Sequence, residues 1–323
     1  MEIKENKYLI FDNAQKINIK TFAKYCVNYF HRFFYSIVYK FVKPKKIENE
    51  YKYNVSICAI FKDEADYLKE WIEFHKIVGV EHFYLYNNNS SDNYLEVLKP
   101  YMDCGLVTLI DWPIKQGQMQ AYQHWADNYK SESKWVGFID IDEFVVPNQT
   151  NSIYGFLKQF DYSRPVVIMY WRYFGSSGIK NRDIKNLVTE DFKSAWYKYA
   201  DIGKYFFNTK YDYVQDYKMN KKMHSMWGCL NGIMFPPVNV FNKICTCNIN
   251  PVTSDIMPIQ INHYLLKSYD EYVNRKAKRG GGVNPVGIHD MEYFNYHDSF
   301  STGEDTNINK YMDQLKEKMK NED

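Results

Sequence analysis

Apolar runs of strand length alternate with stretches of helical periodicity through the first half of the chain. Residues 55–61 form a largely apolar, strand-like run. Residues 64–78 follow with Leu68, Trp71, Ile72 and His75 spaced for one helix face, and Asp63 stands where it could cap that helix. Residues 82–86 read as a second strand, closed by the polar turn Asn87, Asn88, Asn89, Ser90, Ser91, Asp92. A third strand is expected at 106–110, a helix at 116–130 and a fourth strand at 135–139. The order β-α-β-α-β-α-β predicts an α/β domain with a mostly parallel sheet, right-handed crossovers and helices on its faces. After Pro165 the pattern loosens. Residues 166–171 read as a strand, 175–178 as a loop, 259–264 as a short strand leading into a helix at 268–278, and 307–320 as a polar helix. Residues 180–250 are rich in Tyr and Lys and show no clear period.

Residues 1–50 differ from the rest. The stretch 22–42 is crowded with Phe and Tyr, is interrupted by Lys24, His31, Arg32 and Lys40, and ends in Lys43, Pro44, Lys45 and Lys46. This composition suits an amphipathic helix lying on a membrane surface, with aromatics among headgroups and lysines near anionic lipid; a helix packed on the domain or on a partner has the same look. Membrane-surface contact is therefore expected from residues 16–46. No run of about 18 apolar residues occurs, so a spanning helix is not expected, and residues 1–13 lack the apolar core of a secretory signal.

With 323 residues the chain can hold one large α/β domain, and a net charge of +2 gives no electrostatic footprint for nucleic acid. Aromatics make up 18% of residues, enough to supply stacking platforms as well as core. The six cysteines are scattered: Cys58 lies in an apolar strand, and Cys245 with Cys247 lacks the second pair a zinc site needs. A reducing compartment is the natural expectation.

The segment from Lys134 to Pro147 concentrates the chemistry. Its apolar strand runs directly into Asp140, Ile141, Asp142 and Glu143, then into a second apolar piece. Ligands of open α/β sheets collect at the carboxyl ends of strands. Two carboxylates there suit a hard divalent cation that in turn holds a diphosphate. Asp-x-Asp alone is also what a carboxylate-capped turn looks like, so the strand context carries the reading.

Several segments together resemble glycosyltransferase family 92 and its bacterial, family-2-like relatives. They are Ile60 to Glu64 with Tyr67 to His75, Gly79 to Asn87 with Asn89 to Asp92, and Lys134 to Phe144, then Trp171 to Gly175 and Ile261 to Tyr264 with Lys267, Ser268, Arg279 and Gly280. The resemblance implies a GT-A fold over residues 51–323, with a nucleotide-sugar half at 51–165 and an acceptor half at 166–323. It implies a nucleotide-sugar donor (a UDP-hexose, with UDP-galactose the first choice), a Mn²⁺ or Mg²⁺ cofactor and inversion at the anomeric carbon. The acceptor would be a glycan or lipid-linked glycan of bacterial surface-polysaccharide assembly. Eukaryotic members carry a spanning anchor where this chain has its basic-aromatic segment. The expected location is accordingly the cytoplasm, peripheral on the inner face of the cell membrane.

On that reading Asp142 is the leading metal ligand, with Asp140 contacting the cation, its water or the ribose, and Glu143 supporting the loop. His263 would complete the coordination, as a C-terminal His often does in GT-A enzymes. Lys62 and Glu64 after the first strand, and Asn88, Asn89 and Asp92 after the second, fall where base and ribose would sit; Asp63 and Asp92 also suit plain helix caps. Lys267 and Arg279 are candidates for the diphosphate. Gln116, Gln118 and Gln120 follow the third strand, with Gln120 facing the site if the helix begins near Gly117. An inverting displacement needs a carboxylate base, and Glu190, Asp191, Asp212 and Asp216 are candidates between which spacing does not choose. Trp171, Phe174, Trp196 and Trp227 could stack on sugars or fill the core, and His224 could contact acceptor or phosphate. Two other classes stay open: a nucleotidyltransferase or nucleotide-sugar hydrolase on a similar sheet, and a non-catalytic membrane-associated scaffold. The first is disfavoured by the lack of glycine in Phe61 to Glu64, the second by the intact carboxylate pair.

Overall fold

A computed structural model describes residues 7–10, 19–44, 51–215, 226–246, 251–279 and 286–320. Asp216, His224, Cys247 and Gly280 to Gly282 lie outside them. Strands β1 (Tyr53–Phe61), β2 (His82–Asn87), β3 (Val107–Asp111) and β4 (Ser133–Phe138) form from the apolar runs of the first half. They pair in parallel in the order β3-β2-β1-β4. Helices α2 (Ala65–Ile77), α3 (Tyr94–Asp103) and α4 (Gln118–Asn128) make the crossovers. The α/β class and the flanking helices are those the pattern predicts.

The sheet does not stop at β4. Residues β5 (Glu143–Pro147), β6 (Val166–Tyr173), β7 (Gly203–Asn208), β8 (Val238–Asn239) and β9 (Ile259–His263) extend it to nine strands. The path continues β4-β7-β6-β9-β5, with β8 beside the start of β6. Strand β7 is antiparallel to both neighbours, and β5 is antiparallel to β9. Strands from either side of residue 165 thus interleave in one sheet. The aperiodic reading of 180–250 is corrected here, because β7 sits in the middle of the sheet. Its sequence Gly203, Lys204, Tyr205, Phe206, Phe207, Asn208 is buried on both faces, so no polar alternation marks it, and Lys204 interrupts its apolar run.

Trp71, Trp125, Trp135, Trp196 and a large set of tyrosines are fully buried, which accounts for much of the aromatic content. Trp171, Phe174 and Trp227 are buried as well, so all four aromatics considered for sugar stacking are packed in the core. The anticipated helix at 268–278 begins as α5 (Tyr269–Glu271), set by a capping box in which the Ser268 side chain accepts from the Glu271 N–H and Glu271 accepts from the Ser268 N–H. It then widens into a π-turn over Tyr272–Lys276, where the Ala277 N–H reaches back to the Tyr272 carbonyl at 2.9 Å. Helices α6 (Met291–Ser299) and α7 (Met312–Lys320) complete the chain, α7 lying against α2.

The aromatic leader forms helix α1 (Ile19–Phe41). Asn28 faces the domain and donates to the Thr246 carbonyl (2.9 Å) and hydroxyl (2.6 Å). The Tyr39 hydroxyl donates to the Pro236 carbonyl at 2.6 Å, and the Arg164 guanidinium lies 4.1 Å from the Tyr39 ring centre. No helix among the described residues is long and apolar enough to cross a membrane.

Candidate active site

Two carboxylates leave the carboxyl end of β4, and α2 holds their loop in place. The Trp71 indole N–H donates to the carbonyls of Glu143 (2.8 Å) and Asp140 (3.1 Å). The Tyr264 N–H closes the other side on the Asp142 carbonyl at 2.9 Å. Glu143 is fully buried and accepts the Asp140 N–H at 3.0 Å, which is the loop support expected of it. Burial pushes its carboxyl well above the usual range, against the pull of Lys204.

Asp140 and Asp142 face different partners. One oxygen of Asp140 meets Lys204 Nζ at 2.7 Å and the other accepts from Gln118 Nε2 at 2.9 Å. Lys204 is buried, lies 3.9 Å from Glu143, and keeps its proton because these carboxylates outweigh the desolvation that would strip it. Asp142 instead meets Lys276 Nζ at 3.1 Å and His263 Nε2 at 3.5 Å. Burial opposes its ionisation, yet Lys276 and His263 hold the carboxyl well below the usual range.

Beside Asp142 opens a cleft lined by Glu64, Tyr67, Asp142, Leu265, Leu266, Lys267, Glu271, Arg275, Lys276 and Arg279. Four of these are cations. Lys267 lies 3.7 Å from Glu64 and 3.1 Å from the centre of the Tyr67 ring. Burial lowers the Lys267 pKa, with Glu64 working against the shift. Arg279 pairs with Glu64 and donates to the Lys62 carbonyl, while Arg275 pairs with Asp66. Lys276 also donates to the Leu265 carbonyl at 2.7 Å. The Tyr67 hydroxyl donates to Glu271 at 2.6 Å.

The rim is built from residues in the left-handed backbone region: Asp63 (φ 52°), Asn89 (φ 56°), Gln116 (φ 53°) and Lys267 (φ 56°). Asn and Asp tolerate this region and Gln and Lys do so at a cost, so the last two mark positions that the surrounding loops impose. Asp63 and Asp92 do not cap their own helices. The Asp63 carboxylate accepts from the Ser91 N–H at 2.7 Å, bracing the loop after β2, and the Asp92 carboxylate accepts from the Ala65 N–H at 2.7 Å, bracing the start of α2.

The structure sorts the remaining candidates. Glu64, Asp142, Lys267 and Arg279 line the cleft, and His263 backs Asp142. Lys62 and Asn89 lie exposed on the rim loops. Gln120 is exposed, and Gln118 takes the inward position instead; α4 begins at Gln118, and a residue two further on points about 200° away. None of the described base candidates borders the cleft. Glu190 pairs with Lys316 on α7, Asp191 with Arg182, and Asp212 with Lys130. Cleft carboxylates are Glu64, Asp142 and Glu271, the last joined to Asp191 through Arg182. Lys204, Lys276, Arg275 and Glu271 were not singled out by sequence reasoning. The detectable signal was Lys204, a single charge inside an otherwise apolar strand.

A carboxylate oxygen and an imidazole nitrogen 3.5 Å apart form a donor pair that suits Mn²⁺ better than Mg²⁺, which favours oxygen alone, with water and phosphate oxygens able to supply the other positions. Burial lowers the His263 pKa against the opposing effect of Asp142, leaving a neutral ring able to ligate. Its Nδ1 is buried without a hydrogen-bond partner, 3.8 Å from an equally orphaned Glu143 oxygen. Among the described residues no three or more His, Cys, Asp or Glu side chains form a closed metal site. Asp142 and His263 thus stand as a two-donor pair, and Asp140, with both oxygens engaged, stands apart from them.

Known proteins resemble this chain over part of its length. A family 92 glycosyltransferase protein of Ricinus communis is 36% identical over 108 residues, covering 33% of this chain and 19% of its own length. One from Oryza sativa subsp. japonica is 38% identical over 95 residues, covering 29% and 16%. The beta-1,4-galactosyltransferase of Caenorhabditis elegans is 32% identical over 113 residues, covering 31% and 27%. Each match thus spans less than a third of the relative's length. Among solved structures, Staphylococcus aureus TarS 1–349 aligns with a TM-score of 0.34 at 10% identity, covering 50% of this chain and 51% of its own. The Pyrobaculum calidifontis mannosyltransferase in complex with GDP-Man and Mn²⁺ aligns with a TM-score of 0.32 at 13% identity, covering 58% and 55%. The family model described as Glycosyltransferase family 92 matches residues 51–319, the whole α/β domain from β1 to α7, and the chain belongs to that family.

Proposed function

We propose that this chain transfers a hexose from a nucleotide-sugar donor to a glycan acceptor, with the donor's diphosphate seated in the cleft beside Asp142. The observation that carries the reading is the gathering of Lys267, Arg275, Lys276 and Arg279 in the cleft beside the carboxylate–imidazole pair, which follows the carboxyl end of the parallel strand β4. Each cation is now balanced by a carboxylate: Glu64, Asp66 or Asp142. A diphosphate entering the cleft would exchange these partners for its own oxygens, which accept charge-assisted bonds well. Departure of a nucleoside diphosphate concentrates negative charge on those oxygens, and fixed cations stabilise that charge as it develops.

Mn²⁺ or Mg²⁺, held by Asp142 and His263, would add Lewis-acid stabilisation of the leaving group. The chain's own groups would do the rest. Lys276 spans Asp142 and the Leu265 carbonyl, so it can follow the diphosphate without leaving the site. Tyr67 presents its ring to Lys267 and orders Glu271, fixing the cleft floor. Inversion by one displacement, with a carboxylate as base, belongs to this reading. UDP-galactose is the first donor to try, a choice supported by the name of the nematode relative. The acceptor is a glycan or lipid-linked glycan. A bacterial surface-polysaccharide setting is the narrowest form of the proposal, whereas the curated relatives named above come from plants and a nematode.

The test is release of nucleoside diphosphate from a panel of UDP- and GDP-sugars, with Mn²⁺, Mg²⁺ or chelator, for the parent and Asp142→Asn. Metal-dependent release, reduced at least about 100-fold in a variant that melts normally, is the expected result. Undiminished turnover by Asp142→Asn under chelation would refute it. Release of nucleoside monophosphate and sugar 1-phosphate instead would assign the site to nucleotide-sugar hydrolysis, and formation of nucleoside triphosphate on adding pyrophosphate would assign it to nucleotidyl transfer.

A further inference from the structure

Helix α1 packs on the domain through a mixed polar and apolar face. The residues facing the domain are Asn28, His31, Arg32, Tyr35, Val38, Tyr39 and Val42, spaced three and four apart. The opposite side presents aromatics to solvent: Phe22 is 67% exposed, Tyr29 76%, Phe30 63%, Phe33 63% and Phe41 82%. Burial of apolar side chains normally decides which face of a surface helix turns inward. Here the Tyr35 and Tyr39 rings against Phe235, with Asn28 on Thr246 and Tyr39 on Pro236 and Arg164, fix the rotation, and the outward aromatic stripe is left as a patch of a kind that marks a contact surface.

Charge selects the occupant. From Ile19 to Pro44 the sequence has no Asp or Glu, while Lys20, Lys24, Arg32, Lys40 and Lys43 all lie within it. Lys40 and Lys43 are exposed beside Phe41. A second copy laid on this stripe would set the same cations against themselves. An anionic bilayer surface meets both features at once, since rings enter the headgroup layer and lysine stems reach back to lipid phosphates. The helix contacts Arg164, Pro236 and Thr246, none of which lines the catalytic cleft.

We infer that the outward face of α1 is a monotopic docking surface for a membrane rich in anionic phospholipid, which would hold the domain at the lipid surface with its cleft unobstructed. The experiment is co-sedimentation of the full chain with vesicles of phosphatidylglycerol and phosphatidylcholine in equal parts, or of phosphatidylcholine alone. It is run for the parent and for Phe30→Ser/Phe33→Ser, a pair whose exposure leaves the fold intact and whose melting curve checks this. The expected result is binding to the anionic vesicles, weakened by salt and at least tenfold weaker in the variant, with little binding to neutral vesicles. Equal binding of parent and variant would overturn the role of the stripe, and equal binding to both vesicle types would overturn the choice of anionic lipid. A parent that ignores vesicles and elutes as a dimer, with the variant monomeric, would make a second copy the occupant. Vesicle binding is read without any nucleotide sugar, so its failure leaves the transfer reaction to its own test.

Discussion

Replacing Lys204 by Met would expose how the carboxylate loop is stabilised. The ammonium is almost fully buried, 2.7 Å from Asp140 and 3.9 Å from Glu143, and Glu143 has no exposure at all. Methionine fills a similar volume without charge, so packing loss is small and the effect isolates electrostatics. Removing one partner from a buried ion pair costs about 3–5 kcal/mol, because the remaining charge is uncompensated. Asp140 is 31% exposed and recovers part of that through water, which sets the expectation near the lower bound, about 3 kcal/mol. For a domain of this size that corresponds to a melting point lower by about 6–12 °C. Calorimetry or urea unfolding followed by tryptophan fluorescence would measure it. The double variant Lys204→Met/Asp140→Asn removes the carboxylate that the lost ammonium leaves unpaired, and should regain about 2 kcal/mol of the loss. A single variant within about 1 kcal/mol of the parent, or a double variant no better than the single, would refute the idea that Lys204 neutralises this loop.

Other consequences can be checked alongside. His75 is fully buried, its Nε2 accepts the Val145 N–H, and burial lowers its pKa to about 3. The unfolded chain then takes up the proton first as pH falls below about 6.5, so the neutral ring's contribution is present above that pH and is lost toward pH 3. Relative to His75→Gln, the parent should lose about 2 kcal/mol more stability between pH 6.5 and 4.5, measured as paired urea midpoints; parallel curves would contradict this. Glu70 is buried and accepts from the N–H groups of Val188 (2.7 Å) and Thr189 (3.0 Å) and from the Thr189 hydroxyl (2.7 Å). Glu70→Ala should therefore cost about 3 kcal/mol or more in chemical denaturation, and a cost under about 1 would show that water replaces the carboxylate. A Cβ at Gly203 would collide with the Met169 carbonyl across the β7–β6 pairing, so Gly203→Ala should destabilise by about 2 kcal/mol and disturb Lys204 next to it. Arg279→Ala and Lys267→Ala should each weaken binding of a nucleoside diphosphate about 10- to 100-fold in titration calorimetry, while leaving melting nearly unchanged.

The part of the fold that sequence conveyed is the part built by repetition. Four apolar runs separated by amphipathic helices permit few arrangements, and the ends of β1, β2 and β4 carried Glu64, Asn89 and Asp142 to one edge before any contact was known. Strand β7 escaped because a central antiparallel strand shows neither alternation nor a crossover helix, and its one charged residue made it look like surface. The cleft cations escaped for another reason. Arg275, Lys276 and Arg279 read as the solvated side of a polar helix, and only the fold of the 265–279 segment against α2 turns them toward Asp142. Spacing could not choose among the acidic residues for the base, since the pairing of Glu190 with Lys316, 126 residues away, and of Asp191 with Arg182 shows only in the fold.

The π-turn at Tyr272–Lys276 sets the reading frame of the cleft. It makes room for one more residue than an α-helical path would need between Ser268, whose cap fixes the start, and Arg279, which reaches the carbonyl of Lys62. Excising a single residue from this turn would restore the ordinary pitch and rotate everything beyond it by about 100°. Arg279 would swing away from Glu64 even though every cleft residue was still present in the sequence. Length, as much as identity, is thus under constraint in this short segment: substitutions at its outward positions should be tolerated where a one-residue deletion is not.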